Sequence, residues 1–370
     1  MKSNFLELNN LSELDRKIDF KKNSIILVNY SLLQYRQTQE IINKFSRKTL
    51  INGIPNTPNW NSIKSQLLKF PFTNEFNQII SIGGGSVIDF AKVLNALLLL
   101  KLNSEEIEQI ESPQQLQLKL ERLDTTNSKI SHICFPTTIG SGSEATQFAT
   151  VWTDDESVKF SVTNKALRPS LAILSVELVE KLPFATKLYS TLDAISHSCE
   201  SLISLTRNPE SIDFANKSLN LVWPGLTKGF DLWTTNDYKS AQRVSYFGGQ
   251  AINITRTGIC HSISYPLTKF AGVPHGLACS ISLSTLLNEY LIKVKRENLE
   301  DSFEDGVDSV SEKFEFIKTR YNIFDRFREF IPDQKEFESY IPFMRNKQRI
   351  DNLYVPFCND FIYKVLQDIY

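Results

Sequence analysis

Residues 78–92 read QIISIGGGSVIDFAK. A short β-branched run, Gln78–Ile82, stops on Gly83, Gly84 and Gly85, and helical apolar spacing follows from about Val87 to Leu100. A strand closed by glycines and followed at once by a helix is the start of a βα unit, and a repeated βα plan commits a chain to a largely parallel sheet. The plan repeats here. Ser24–Asn29 (SIILVN) reads as a buried strand with a helix behind it over Gln34–Arg47, and Ser131–Phe135 (SHICF) as another strand, ending in the small-residue loop Pro136–Ser143.

After Pro183 the pattern changes. Stretches with 3.6-residue apolar spacing dominate, strand-like runs nearly vanish, and prolines such as Pro209, Pro224, Pro266 and Pro274 read as punctuation. A chain of 370 residues is long for one domain. The expected organisation is a parallel-sheet, Rossmann-like α/β domain over residues 1–180 and an all-α domain over 181–370. Residues 302–339 carry no motif and read as amphipathic helices with polar connections.

Composition removes several classes. Lys and Arg total 41 against 42 Asp and Glu, for a formal charge of -1; nucleic-acid binding normally needs a basic surface, so none is expected. Residues 1–14 lack an apolar core behind a basic start, so no secretory signal is read there. The apolar run Val93–Leu102 is broken by Asn95 and Lys101 and is too short to span a bilayer. Five scattered cysteines, Cys134, Cys199, Cys260, Cys279 and Cys358, form no C-x-x-C pair. A disulfide framework or a thiolate zinc site is therefore not expected, and a cytoplasmic, membrane-free protein is.

Two loops carry phosphate-binding chemistry. In residues 83–89 (GGGSVID) a backbone without Cβ atoms can approach a pyrophosphate and present N–H donors over a helix N-terminus. Asp89, placed in the first turn of that helix, can cap or hold the loop. Such a turn also occurs with no ligand at all. The second loop, FPTTIGSGSEAT (135–146), again follows a strand, and Thr137, Thr138, Ser141 and Ser143 are candidate contacts for phosphate or ribose oxygens. Two such loops in one α/β half suit a dinucleotide better than a single loop does, although a hydroxyl-rich helix entry is the plain alternative.

The chain has four histidines. His132 lies inside an apolar strand and reads as structural. In LDAISHSCE (192–200), Asp193 and His197 stand at i and i+4 and share a helix face. His261 and His275 flank a turn containing Pro266 and Pro274, which lets them fold toward each other, with Pro274 opening the next helix. One carboxylate and three imidazoles suit Fe(II), Zn(II) or another first-row divalent ion.

Together these segments resemble the iron-containing alcohol dehydrogenase family. The matching residues are GGGSVID (83–89), PTTIGSGSEAT (136–146), DAISH (193–197) and HSISYPLTKFAGVPHG (261–276), in family order, with the likeness running from Ile25 to RIDNLYVP (349–356). The resemblance implies a dehydroquinate-synthase-like fold, a nucleotide-binding α/β domain followed by a helical metal-binding domain. It also implies a divalent metal, iron or zinc, on Asp193, His197, His261 and His275, and NAD or NADP on Gly84, Gly85, Ser86, Asp89, Thr137, Thr138, Ser141 and Ser143. By the same match Lys159 and Asn56 join the cofactor contacts, with a solvated strand-end lysine the alternative for Lys159. A homodimer acting on a small-molecule aldehyde or alcohol is implied as well.

Two departures from the family pattern matter. The acidic residue that often follows the first strand in NAD-dependent members is missing from Val28-Asn29-Tyr30, which leaves NAD and NADP both open. Tyr265 stands where many members have a further histidine, and a phenol with a pKa near 10 is a poor base at neutral pH but a possible proton donor. QFATVW (147–152) and TRTGICHSISYPLT (255–268) resemble the branch that reduces phosphonoacetaldehyde to 2-hydroxyethylphosphonate. Arg256, five residues before His261 and expected on the helix beside it, then becomes a candidate partner for the phosphonate, since a planar guanidinium binds such an anion bidentately. Its alternative is an Arg paired with a carboxylate. A lactaldehyde- or butanol-type dehydrogenase, a dehydroquinate-synthase-like lyase and an inactive binding protein are the rival functions.

Overall fold

The computed structural model describes residues 4–16, 18–54, 59–69, 76–123, 130–153 and 159–370. Within them the chain divides into two compact units, Met1–Thr138 with Ser143–Leu182, and Ile139–Gly142 with Pro183–Tyr370.

The first unit is built on a six-stranded sheet. Its strands are β1 (Phe5–Leu8), β2 (Ser24–Val28), β3 (Lys48–Ile51), β4 (Gln78–Gly83), β5 (Ser131–Pro136) and β8 (Leu171–Ser175), in the order β1-β8-β5-β4-β2-β3. Every pairing in it is parallel. Central strands of a parallel sheet are covered on both faces, so β2 and β4 are buried at every residue, and their sequences are apolar without alternation. Adjacent residues still point to opposite faces: Ile25, Leu27 and Ile79 enter one core, and Ile26, Val28, Ile80 and Ile82 the other. A separate antiparallel pair joins β6 (Phe148–Trp152) and β7 (Lys159–Thr163).

Helices α1 (Arg36–Lys44), α2 (Trp60–Leu68), α3 (Gly85–Leu99), α4 (Ser104–Glu108) and α5 (Pro113–Glu121) complete this unit. Helix α3 begins two residues earlier than its apolar spacing suggests. Gly84 takes an extended conformation as the N-cap, and its carbonyl accepts from Val87 and Ile88. Asp89 therefore lies in the second turn of the helix, not the first.

The second unit is helical and carries its own core. Helix α6 (Phe184–Ile203) runs through its centre and is buried at every residue from Thr191 to Ile203. Helices α7 (Pro209–Lys228) and α8 (Thr235–Thr255) pack on it and on each other, followed by α9 (Ile259–Phe270), α10 (His275–Ser280) and α11 (Leu283–Glu297). Among the described residues no helix is long and apolar enough to cross a membrane.

Candidate metal centre and cofactor loops

Asp193, His197 and Glu200 stand at i, i+4 and i+7 along α6, so one buried helix face presents two carboxylates and an imidazole. Helix α9 contributes His261, and α10 begins at His275 behind the N-cap Pro274. The expected proline-flanked turn is shorter than the sequence suggests. Pro266 lies inside α9, and the reversal is confined to residues 271–274, where Gly272 has φ +68. Gly276 explains how α10 comes so close to α6. A Cβ there would stand 1.8 Å from the Tyr189 carbonyl oxygen and 3.0 Å from the Asp193 nitrogen.

Three imidazoles converge on one carboxylate oxygen. Asp193 Oδ1 is 3.6 Å from His197 Nε2, 3.4 Å from His261 Nε2 and 3.7 Å from His275 Nε2. Ligands about 2.0–2.2 Å from a tetrahedral cation are separated by about 3.3–3.6 Å, so this spacing is that of a coordination shell. Asp193 Oδ1 and His261 Nε2 are buried and make no hydrogen bond, the condition expected of atoms whose lone pairs serve a cation. The residues present fit a first-row divalent ion.

Cys279 was not anticipated here. Its sulfur, Asp193 and one ring nitrogen each of His261 and His275 all lie within 4.8 Å of one another. Burial nevertheless pushes the Cys279 thiol up and keeps it protonated, whereas burial pushes His197 down to about 4 and keeps a neutral imidazole lone pair. His197, through its contact with Asp193, and Cys279 both border the group formed by Asp193, His261 and His275.

Glu200 organises the centre. It is fully buried, and Oε2 lies 2.6 Å from His261 Nδ1. Its two oxygens also accept from the backbone nitrogens of Gly258 (2.9 Å), Cys260 (2.6 Å) and His261 (3.3 Å). A carboxylate with this many donors stays ionised, and its pKa is lowered because His261 and the backbone N–H groups outweigh the burial that opposes them. His261 must then carry its proton on Nδ1, which leaves the Nε2 lone pair facing Asp193. Ser264 acts similarly on His275. Its hydroxyl donates to the His261 carbonyl (2.9 Å), so at 3.3 Å it can only accept from His275 Nδ1. For Asp193, burial raises the pKa but His197 and His275, with His261, pull it below the ordinary carboxylate range.

The glycine loop and the second loop are tied together by charge. Lys92, fully buried on α3, reaches Asp89 Oδ1 (3.1 Å), Ser143 Oγ (2.8 Å), Thr146 Oγ1 (2.9 Å) and the Phe148 carbonyl (2.8 Å). Asp89 also accepts from Ser143 Oγ and, at 2.9 Å, from the Thr150 nitrogen. Both Asp89 and Ser143 thus hold the loop, and the Ser143 proton goes to Asp89. Sequence reading missed Lys92, although its i+3 position from Asp89 was visible.

Gly84 and Gly85 sit at the α3 N-terminus with Ser86 in the first turn, and the Thr137 nitrogen donates to the Gly83 carbonyl at 3.1 Å, which sets Thr137 and Thr138 beside that terminus. Ser141 belongs to the short excursion 139–142 that joins the helical unit. There Gly142, at φ +62, lies so close to Gly249 that a Cβ would fall 2.4 Å from the Gly249 Cα. Lys159 opens β7 with Nζ 5.6 Å above the Trp152 ring. Asn56 lies outside the described residues. His132 is structural, with Nε2 2.8 Å from Ser81 Oγ in the sheet.

Two substrate-side candidates remain. The Tyr265 ring lies parallel to that of His275, with centroids 6.1 Å apart. Arg256 is not on the helix of His261. It forms the C-cap of α8 with φ +65 and ψ 179, a backbone region that side chains rarely adopt, and burial together with the nearby Arg349 brings its guanidinium down to about 10.

Comparison with known proteins agrees with this geometry. Phosphonoacetaldehyde reductase from Streptomyces viridochromogenes is 34% identical over 209 residues, 56% of this chain and 52% of that protein, so the match spans about half the length of that relative. 4-Hydroxybutyrate dehydrogenase from Clostridium kluyveri is 26% identical over 80% of this chain and 79% of its own length. Among solved structures, sulfoacetaldehyde reductase from Bifidobacterium kashiwanohense in complex with NAD+ superimposes with TM-score 0.79 at 17% identity, covering 99% of this chain and 96% of that one. An iron-containing alcohol dehydrogenase from Thermococcus thioreducens gives 0.78 at 21% identity, covering 100% and 98%. Residues 4–176 match the iron-containing alcohol dehydrogenase family and residues 187–320 its C-terminal region, and with the Asp193, His197, His261 and His275 cluster in place, the chain belongs to the iron-containing alcohol dehydrogenase family.

Proposed function

We propose that the chain is a metal-dependent NAD(P)H oxidoreductase that reduces a small anionic aldehyde, phosphonoacetaldehyde, to 2-hydroxyethylphosphonate. The observation that carries the reading is Arg256, a guanidinium held among buried groups by a strained C-cap five residues before a metal-ligand position. A left-handed backbone at a non-glycine residue costs about 1–3 kcal/mol and tends to persist where function requires the placement. The two curated relatives named above support an anionic substrate, since phosphonoacetaldehyde and 4-hydroxybutyrate both carry a charged tail.

Asp193, His197, His261 and His275 would hold the divalent cation, and Gly84, Gly85, Ser86, Thr137, Thr138 and Ser141 the nicotinamide cofactor. When bound, the cofactor supplies a hydride for the carbonyl carbon, and the cation supplies Lewis acidity toward the carbonyl oxygen. The chain's own residues do the rest. Glu200 and Ser264 fix the His261 and His275 tautomers, Lys92 and Asp89 hold the two cofactor loops in register, and Arg256 orients the anionic tail. Tyr265 Oη is the proposed source of the proton that the product alcohol needs at oxygen.

The test is NADH and NADPH consumption by Fe(II)-loaded protein, with phosphonoacetaldehyde compared against propanal and lactaldehyde. A preference of about a hundredfold in kcat/KM, roughly 2.7 kcal/mol, is expected. Equal or faster turnover of the uncharged aldehydes would overturn the assignment in favour of a general alcohol dehydrogenase.

A further inference from the structure

Arg256 holds φ +65 and ψ 179, a conformation open to glycine and costly for a residue with a Cβ. Such a residue persists only where its neighbours fix the peptide planes on either side of it, and here each plane has a partner. The Thr255 carbonyl, on the plane before Arg256, accepts from Asn352 Nδ2 at 2.7 Å. The Arg256 carbonyl, on the plane after it, accepts from Thr255 Oγ1 at 2.9 Å. The Thr257 carbonyl, one plane further on, accepts from Asn352 Nδ2 again, at 3.3 Å. Beyond it the Gly258 nitrogen donates to Glu200 Oε2 at 2.9 Å, and a Cβ on Gly258 would lie 2.6 Å from Leu353 Cδ1, so the chain after Asn352 packs tightly against the same turn.

Asn352 thus grips both carbonyls that flank Arg256 with one side chain. A primary amide carries two N–H donors on one nitrogen, and each carbonyl takes one of them. The amide cannot be turned over, because carbonyls do not donate and because Asn352 Oδ1 accepts from Ser204 Oγ at 3.1 Å. Its backbone is anchored as well. The Asn352 carbonyl accepts from the Leu205 nitrogen at 2.8 Å, and the Tyr354 nitrogen donates to the Ile203 carbonyl at 3.1 Å, an antiparallel bridge at the end of α6. Helix α6 carries Asp193 and His197, so Asn352 references the root of the Arg256 side chain to the helix of two metal-ligand positions.

We infer that Asn352 is a positioning residue for substrate selection, its amide holding Arg256 in the strained conformation from which the guanidinium meets the anionic tail of the aldehyde. This rests on the reading of Arg256 given above. The direction in which a side chain leaves the main chain is set by φ and ψ, so release of the two flanking carbonyls lets residue 256 relax to a negative φ and re-aims a long side chain. Asn352 touches neither substrate nor cofactor in this scheme and acts through Arg256 alone. An anion contact of this kind is made equally in the ground state and the transition state, so its loss raises KM and leaves kcat nearly unchanged.

The experiment compares metal-loaded, NAD(P)H-saturated wild type, Asn352→Leu, Asn352→Ala, Arg256→Gln and the double variant Asn352→Leu with Arg256→Gln. It reads kcat and KM for phosphonoacetaldehyde and propanal, and the dissociation constant of ethylphosphonate. Asn352→Leu is expected to raise the phosphonoacetaldehyde KM and the ethylphosphonate Kd about tenfold or more, with kcat and the turnover of propanal within about threefold of wild type. In the Arg256→Gln background the same substitution is expected to change the ethylphosphonate Kd by less than about twofold, because the residue that Asn352 positions is gone. A loss of equal size in both backgrounds, or one that falls as heavily on propanal, makes Asn352 a residue of the fold alone and overturns the inference. If wild type prefers phosphonoacetaldehyde to propanal and Asn352→Leu keeps the wild-type ethylphosphonate Kd, the inference fails while the assignment of the aldehyde stands. If wild type turns over propanal as well as phosphonoacetaldehyde, the assignment itself fails and takes the inference with it. Should Asn352→Leu not fold, Asn352→Ala decides by the same readings, and if neither folds the amide serves the fold and the inference fails.

Discussion

Glu200→Gln is the substitution that tests the architecture of the metal centre most directly. It changes one oxygen to an NH2 group with almost no change in volume, at a side chain that is fully buried. In the native site the Glu200 oxygens accept from three backbone nitrogens and from His261 Nδ1. A glutamine has one acceptor oxygen. If that oxygen stays on Cys260 and His261 N, the new NH2 points at the Gly258 N–H and at His261 Nδ1, and donor meets donor. The imidazole can relieve its half of the conflict only by moving its proton to Nε2, the atom 3.4 Å from Asp193 Oδ1, and it then ceases to be a ligand.

The magnitudes follow from those contacts. A buried N–H left without an acceptor costs about 1–3 kcal/mol, so the Gly258 nitrogen alone should lower unfolding free energy by that amount. Loss of an outer partner of a ligating histidine weakens metal binding about 10- to 100-fold, or about 1.4–2.7 kcal/mol. Chelator competition with Zn(II) or Co(II) reads the second figure, and urea unfolding of the metal-free protein reads the first. A folded Glu200→Gln protein with metal affinity within about twofold of wild type would refute the tautomer argument, because the ratio expected from the partner's loss is several times larger.

Removing the metal with a chelator should lower the thermal midpoint, since a ligand at about 1,000 times its Kd stabilises the folded state by about 4 kcal/mol; Asp193→Asn should abolish the metal-dependent shift, and an undiminished shift would count against Asp193 as a ligand. Lys92→Met leaves the Asp89 carboxylate without its buried cation and should cost about 3–5 kcal/mol in urea unfolding; a cost below about 1 kcal/mol would mean that Asp89 has other compensation. Gly276→Ala should force α10 away from α6, cost about 1–3 kcal/mol and reduce metal content in protein that still folds; full metal content would show that His275 tolerates the shift. For Asp237, which caps α8 through Thr234 and pairs with Lys228 at 2.7 Å, burial opposes but Lys228 and Thr234 hold the carboxyl down from 3.8 to about 2. A depressed folded pKa contributes stability above the unfolded value and loses it as pH falls through the folded one, so the roughly 1 kcal/mol cost of Asp237→Ala should be complete above pH 4, shrink between 4 and 2, and vanish below; a gap independent of pH would refute the charge assignment.

What could be read from residues alone followed the range of the interactions. Asp193 and His197 share a helix turn, and β2 and β4 are continuous apolar runs closed by turn residues, so local spacing carried them. His261 and His275 stood out because the chain has only four histidines. Glu200 is one of 42 acidic residues, and nothing in its neighbourhood separates it from a solvated carboxylate except its i+7 position from Asp193. The strands β1, β3 and β8 are four or five residues long and exist because the neighbouring strands complete their hydrogen bonds, a contribution that lies far away in sequence. Pro266 was misleading for a different reason. Within a helix a proline normally marks a break, yet in α9 the helix continues through it to Phe270. The C-cap geometry of Arg256 left no trace either, since a positive φ at a non-glycine residue has no compositional signal.

The charges at the centre explain why two carboxylates are buried there at all. Asp193 and Glu200 bring two negative charges into a region where water is excluded, and the three imidazoles are not equivalent in answering them. His197 is pushed down to about 4 by burial and stays neutral. Burial opposes protonation of His261, while the negative charges of Glu200 and Asp193 beside it pull its pKa upward. The protein alone thus offsets its two carboxylates incompletely. A divalent cation balances both carboxylates while all three histidines remain neutral, which is the state in which their lone pairs can bind it. Glu200 therefore has two linked effects, fixing the His261 tautomer and supplying the second negative charge. A neutral substitution at that position should weaken a divalent ion more than a neutral residue at an uncharged outer contact such as Ser264 would, and comparing Glu200→Gln with Ser264→Ala under the same chelator separates the charge effect from the loss of a hydrogen bond.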